Sequence, residues 1–153
     1  MPLARAAMHA KRETIHTAQY PTVHERHQIA SRQYAFEGQC FVLASGCVLS
    51  KRDVLSGFDS LNTGDKEVRE LLGSIRKDEL LRGGSAVISP DISYIAEPVF
   101  DSTETVYADL DLSLPRQGNL LLDTDGHYSR PDVFELRVND KKNENVKFAS
   151  KEE

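Results

Sequence analysis

The sequence is poor in the features that mark several protein classes. It contains only two cysteines, Cys40 and Cys47, too few for a disulfide framework. No second C-x-x-C and no matched histidine pair suggests zinc. No apolar run approaches ~18 residues, and the start lacks the long apolar stretch of a signal peptide. "MPLARAAMHAKRE" is basic and Ala-rich, as transit peptides are, yet it holds no serine and leads into what reads as packed structure. Positive charge is not in excess either: 19 Lys and Arg against 24 Asp and Glu give a net charge of −5. Nothing electrostatic therefore points to nucleic acid or an anionic membrane as partner. The expected setting is the cytoplasm, with reduced thiols and no metal or cofactor.

What is present is an ordinary globular composition, 39% apolar and 28% charged over 153 residues. That is one domain's worth of chain. "PLARAAMHAKR" (2–12) is built of good helix formers, with Pro2 where a first-turn proline is tolerated. "TIHTAQ" (14–19) is short and β-rich and ends at Pro21. "VHERHQIASRQYAF" (23–36) predicts a second helix, capped near Thr22 or Val23 and ended by Gly38. Val23, His27, Ile29, Ala30, Tyr34 and Phe36 supply its apolar side. "CFVLASG" (40–46) is a continuous apolar strand of the kind buried on both faces.

Helix, strand, helix, strand with short links is the rhythm of parallel βαβ units. A crossover helix needs a strand before it as well as after it, and the helix at 2–12 has none. The sequence reads as beginning in the middle of a motif.

The second half differs in kind. Residues 47–82 read as a polar connection around "GFDSLNTGD", then helical "KEVRELLGSIRKDELL". "GGSAVIS" (83–89), "YIAEPV" and "ETVYADLDL" (104–112) predict closely spaced strands, as in an antiparallel meander at a sheet edge. "DGHYSRPDVFEL" (125–136) is a loop leading into an extended piece. Residues 139–153 are charged and without apolar periodicity, a mobile tail. The domain is thus expected to span 1–138.

Several motifs invite chemistry. "HERHQ" (24–28) places His24 and His27 at i and i+3, whereas the zinc-protease H-E-x-x-H helix needs i and i+4. "GGS" (83–85) lacks the G-x-x-x-x-G-K pattern of a phosphate loop. Arg32 and Glu37 flank the end of the second helix and read as an ion pair. Cys40 stands behind a glutamate and a glycine, where a nucleophile is conceivable, but at the start of an apolar strand a buried thiol is the simpler reading. Nothing marks Cys47 as activated.

"MPLARAAM", "YPTVHERHQIASRQYAFEGQCFVL", "RGGSAVISP" and "GHYSRPDVFEL", in this order over 1–138, resemble the nitrilase branch of the carbon–nitrogen hydrolase superfamily. The resemblance implies one half of an α-β-β-α sandwich, the C-terminal half. It also implies a parent reaction in which a nitrile is hydrolysed to a carboxylic acid and ammonia. That family uses a cysteine thiolate as nucleophile, a glutamate as base and a lysine that stabilises the developing negative charge. The glutamate and lysine lie far N-terminal. The cysteine, in a Cys-Trp-Glu setting, lies a few residues before the stretch matching "MPLARAAM", just upstream of Met1. The resemblance therefore implies no catalytic residue in this chain, and a helix at 2–12 whose positive end would face the missing thiolate.

The "AQYPT" loop (18–22) lies at a strand's C-terminal end, where ligands gather in open α/β sheets. In the family such a loop resembles a pocket wall, which makes Gln19, Tyr20 and Pro21 the expected substrate-binding residues. His127 and Arg130 are expected in structural hydrogen bonds near a subunit association surface. "SPDISYIAEP" lacks the glycine usual after the "SP" turn, and 114–125 departs from a more helical family pattern. A half-sandwich would leave one sheet face uncovered. Its expected partners are the missing N-terminal half or other nitrilase subunits, and a nitrile in the intact enzyme. Two further readings stand beside this one: a non-catalytic association module, and a stand-alone thiol hydrolase built on Cys40.

Overall fold

The computed structural model describes residues 1–141. The tail expected at 139–153 falls largely outside them. The chain is mixed α/β, with one five-stranded sheet.

Helix α1 (Pro2–His9) leads to strand β1 (Ile15–Tyr20), helix α2 (Glu25–Gly38) and strand β2 (Phe41–Gly46). The pair β1 and β2 is parallel, with Ile15 opposite Phe41 and Tyr20 opposite Gly46. The α2 crossover between them is the expected βαβ unit. Strand β3 (Val48–Ser50) continues past Cys47, and both β2 and β3 pair antiparallel with β4 (Glu79–Ile88). Strand β5 (Tyr94–Phe100) returns along the other side of β4 as the expected hairpin. On the side away from β2, β1 is a sheet edge.

The core lies between α2 and the sheet. Ala18, Tyr34, Ala35, Cys40, Val42 and Ile88 form it, with Tyr20 and Tyr94 packed against it. Phe41, Val42, Val23 and Ile88 are fully buried, each worth about 1.5–3 kcal/mol of transfer free energy. The expectation of a buried β2 strand holds.

The apolar side expected for α2 holds only at Val23 and Tyr34. Ile29 and Phe36 are exposed, as is Ala30, and the helix buries Gln28, Ser31, Tyr34 and Ala35. The helix starts at Glu25, later than Val23, with His24 as its N-cap. Its inner face combines the small Ser31 and Ala35 with the aromatic Tyr34 and one glutamine whose side-chain polar atoms are satisfied. Gln28 donates from Nε2 to the Gly84 carbonyl at 2.8 Å and accepts from the Tyr94 hydroxyl at 3.1 Å.

Residues 47–82 also differ. Helix α3 (Lys51–Ser60) occupies what reads as connection, capped by Ser50, whose Oγ accepts from the Asp53 amide at 3.1 Å. Helix α4 (Lys66–Gly73) is capped by Asp65 and stops at Gly73; Leu80 and Leu81 belong to β4 instead. The stretch 104–112 forms no strand. The chain leaves β5 at Asp101, which has a left-handed φ of 57° and pairs with Arg82. Helix α5 (Leu114–Gly118) is short, and 119–134 consists largely of turns and bends.

The sheet face opposite Ala18 and Ala44 carries Ile15, Phe41, Leu43 and Val87 beside Thr17, Gln19 and Ser45; Ile15, Thr17, Gln19 and Ser45 are exposed, whereas Phe41 and Val87 are buried. Exposed apolar side chains gather elsewhere: Tyr107, Leu120, Leu121 and Phe134 are each more than three quarters exposed.

Candidate functional site

The loop after β1 is where the sequence places a pocket wall, and its position follows from backbone bonds. The Cys47 amide donates to the Pro21 carbonyl at 3.0 Å, and the Val23 amide donates to the Gly83 carbonyl at 2.7 Å. The Gly83 amide in turn donates to the Cys47 carbonyl at 2.9 Å. The ends of β1 and β2 are thereby tied to a kink in β4, where Gly83 and Gly84 have φ of 84° and 91°. Glycine is needed at 84: a Cβ there would run into the Val23 carbonyl oxygen and meet the Phe100 ring at 2.8 Å.

The three expected binding residues share this strand end but not one face. Tyr20 is half-buried on the α2 side, its ring 4.8 Å from that of His27. Gln19 is exposed and projects to the opposite face. Pro21 is exposed, its carbonyl engaged by Cys47. Beyond the strand end, a cavity of about 300 Å³ opens beside Gly46, Cys47, Ser85 and Glu104.

His24 and His27 are held by helix capping: the His24 amide donates to His27 Nδ1 at 3.2 Å. Among the described residues no group of three His, Cys, Asp or Glu side chains could hold a metal ion, and no helix is long and apolar enough to cross a membrane. Arg32 and Glu37 do not pair. Arg32 donates to the Ile92 carbonyl at 2.9 Å and lies over the Tyr94 ring, while Glu37 pairs with Arg5 at 3.0 Å. Arg130 bonds Asp132 two residues on, at 2.7 Å, and the His127 ring packs against Tyr128 at 4.5 Å.

Cys40 is wholly buried. Burial, with the Glu13 carboxylate adding to it, pushes its thiol up to about 12. A nucleophilic cysteine needs the reverse, a depressed value and access. Cys47 is exposed.

One cluster has no counterpart in the sequence reading. Tyr34 donates its hydroxyl to Glu13, whose other oxygen lies 3.1 Å from His16 Nδ1. The His16 ring stacks on Tyr34 at 3.9 Å, and His9 meets Tyr34 edge-on at 4.6 Å. Glu13 and His16 are near neighbours in sequence, but Tyr34 is 21 residues from Glu13 and joins them only through the packing of α2 against the start of β1. These residues bind α1 and β1 to α2 at the end of the sheet away from Tyr20.

The carbon–nitrogen hydrolase family profile matches residues 1–118. The chain belongs to that family. Among the relatives of this carbon–nitrogen hydrolase chain, nitrilase 2 of Arabidopsis thaliana is 36% identical over 156 residues, covering 100% of the chain and 44% of the relative. The nitrilase of Paraburkholderia phymatum is 31% identical over 92% of the chain and 39% of its own length. The aliphatic nitrilase of Rhodococcus rhodochrous is 34% identical over 96% of the chain and 39% of its own length. The chain therefore spans less than half the length of these relatives.

Proposed function

We propose that this chain is the C-terminal half of a nitrilase, and that it hydrolyses nitriles only when a Glu-Lys-Cys triad is supplied from an N-terminal half. Support comes first from the relatives, nitrilases by name, which the chain matches over nearly its whole length but less than half of theirs. The free edge of β1 adds to this, because a βαβ unit ending in α1 and β1 would place its first strand there.

In the assembled enzyme the thiolate attacks the nitrile carbon, and the glutamate takes the thiol proton. The lysine stabilises the negative charge on nitrogen. Two waters are consumed overall, releasing the carboxylic acid and ammonia. This half contributes the strand end and the loop 19–21, with Tyr20 as the aromatic wall and Gln19 and Pro21 beside it. Residues 1–138 form the domain, and the charged segment beyond lies largely outside the described residues.

The experiment is ammonia release from aliphatic and aromatic nitriles by the purified chain, alone and with a nitrilase N-terminal half. Activity is expected only in the second case. Turnover by the chain alone that vanishes in Cys40→Ser would overturn the proposal.

A second reading, a non-catalytic module that docks on intact nitrilase subunits, is favoured by the exposed apolar side chains between Tyr107 and Phe134. Copurification with an intact nitrilase, without gain of activity on supplying the N-terminal half, would distinguish it. The thiol hydrolase reading loses its basis with the burial of Cys40.

A further inference from the structure

Residues 51–78 leave the sheet at the end of β3 and return to it at the start of β4. None of them is buried. Their apolar side chains are at best half-buried, as at Val54, Leu55, Phe58 and Leu72, and Leu61 and Leu71 are each 68% exposed. Helix α3 packs mainly on α4 and on β3, the strand it follows. Neither helix adds a residue to the core.

The polar contacts of this stretch also close on themselves. Arg69 donates to both oxygens of Asp59, at 2.7 and 3.0 Å, and so ties α4 to α3. Ser50 and Asp53 cap α3, and Asp65 caps α4. Among the described residues, no side-chain hydrogen bond or ion pair runs from 51–78 to a residue outside 50–78. At its base the Lys51 amide donates to the Asp78 carbonyl at 2.8 Å, next to the Ser50–Glu79 pair. The β3–β4 register shifts between Leu49 and Ser50, and such an irregularity disrupts the ladder locally.

Helices of 10 and 8 residues are marginal in water without packing, and an exposed ion pair adds little. The sheet is built differently, with Val42 of β2 and Ile88 of β4 fully buried. We propose that residues 51–78 are a hinged arm, which opens as a unit of its own about the Ser50–Glu79 pair and leaves the sheet intact. Cleavage at the exposed Arg76 or Lys77 would then not unfold the body. The nitrilase reading has no part in this, because the argument concerns only how the chain's own stability is divided.

The test is native-state amide hydrogen exchange on the isotope-labelled 153-residue chain, with a shortened variant beside it. Relative to their unfolded rates, the amides of α3 and α4 should exchange at least roughly a hundredfold faster than the slowest amides of β2 and β4. In the variant, Asn-Gly replaces 52–77 and joins Lys51 to Asp78, whose bond already has the pattern that closes a two-residue hairpin turn. It should unfold at the same urea midpoint as the full chain and keep the slow exchange of β2 and β4. Protection of α3 and α4 equal to that of the sheet would overturn the proposal. So would a shortened variant that fails to fold or unfolds at a clearly lower midpoint.

Discussion

The Val23 amide and the Gly83 carbonyl meet at 2.7 Å, and that bond fixes the turn after β1 against the kink of β4. The neighbouring Gly84 has no room for a side chain against the Val23 carbonyl and has a φ of 91°. Gly84→Ala should therefore destabilise the chain by about 1–3 kcal/mol through strain alone, and by more if the turn separates. Urea unfolding measures this. An unchanged midpoint would mean that the turn is not held where these bonds put it.

Ile92 presents the opposite case. Its φ is 71°, in a turn closed by the bond from its own amide to the Ser89 carbonyl at 2.9 Å. A β-branched residue in the left-handed region costs about 1–2 kcal/mol. Ile92→Gly should stabilise by about 0.5–1 kcal/mol net, after the added freedom of glycine in the unfolded chain. A lower unfolding midpoint would show that the Ile92 side chain contributes more by packing than the strain costs.

"SPDISYIAEP" has no glycine after its "SP" turn, and Ile92, with its left-handed φ, stands where one is missed. Much else was legible for similar reasons. An unbroken apolar run at 40–46 has nowhere to go but the interior, and short links between helix and strand leave a parallel pair as the simplest arrangement. Helix α3 was legible in principle, since Ser50 and Asp53 form a capping pattern. The inner face of α2 was not, because Gln28 is buried through bonds to Gly84 and Tyr94, residues more than fifty positions away. Gln19 and Tyr20 are adjacent in sequence, but strand alternation sends them to opposite faces. The approach of the 112–125 segment to His9 and Gly38 depends on that segment folding back, which no local pattern announces.

Cys40 should resist thiol reagents under native conditions while Cys47 reacts. With its thiol pushed up to about 12, above the unfolded value of about 8.5, the protonated form favours the folded state. That contribution is complete below about pH 8.5 and is lost as the pH rises toward about 12. Tyr34, raised by burial and by its bond to Glu13, acts in the same direction. The urea midpoint should fall between about pH 8 and about pH 11, less steeply in Cys40→Ala. Rapid native labelling of Cys40 would contradict its placement in the core.

His9 contributes on the acid side, above the range in which carboxylates held low by their partners, such as Asp91 and Asp101, begin to protonate. Burial lowers its pKa, and the opposing pull of Glu37, Asp125 and Glu13 does not fully offset this. The folded state thus favours neutral imidazole. Stability from this group is present above the unfolded value of about 6.5 and is lost as the pH falls through the lower folded value. His9→Gln should flatten the decline in urea midpoint below about pH 6.5. An equally steep decline in the variant would place the acid sensitivity elsewhere.

Co-expression with a nitrilase N-terminal half that ends in its Cys-Trp-Glu segment, followed by ammonia release, tests the central claim most directly. Reassembly must overcome the entropy of association and a cut beside the active site, so restored activity should fall well below that of an intact enzyme. Tyr20→Ala in the pair should alter nitrile preference more than assembly. The predicted result is hydrolysis by the pair and none by either half. Halves that copurify but stay inert, with the upstream cysteine unreactive, would contradict the claim that this chain completes a nitrilase site.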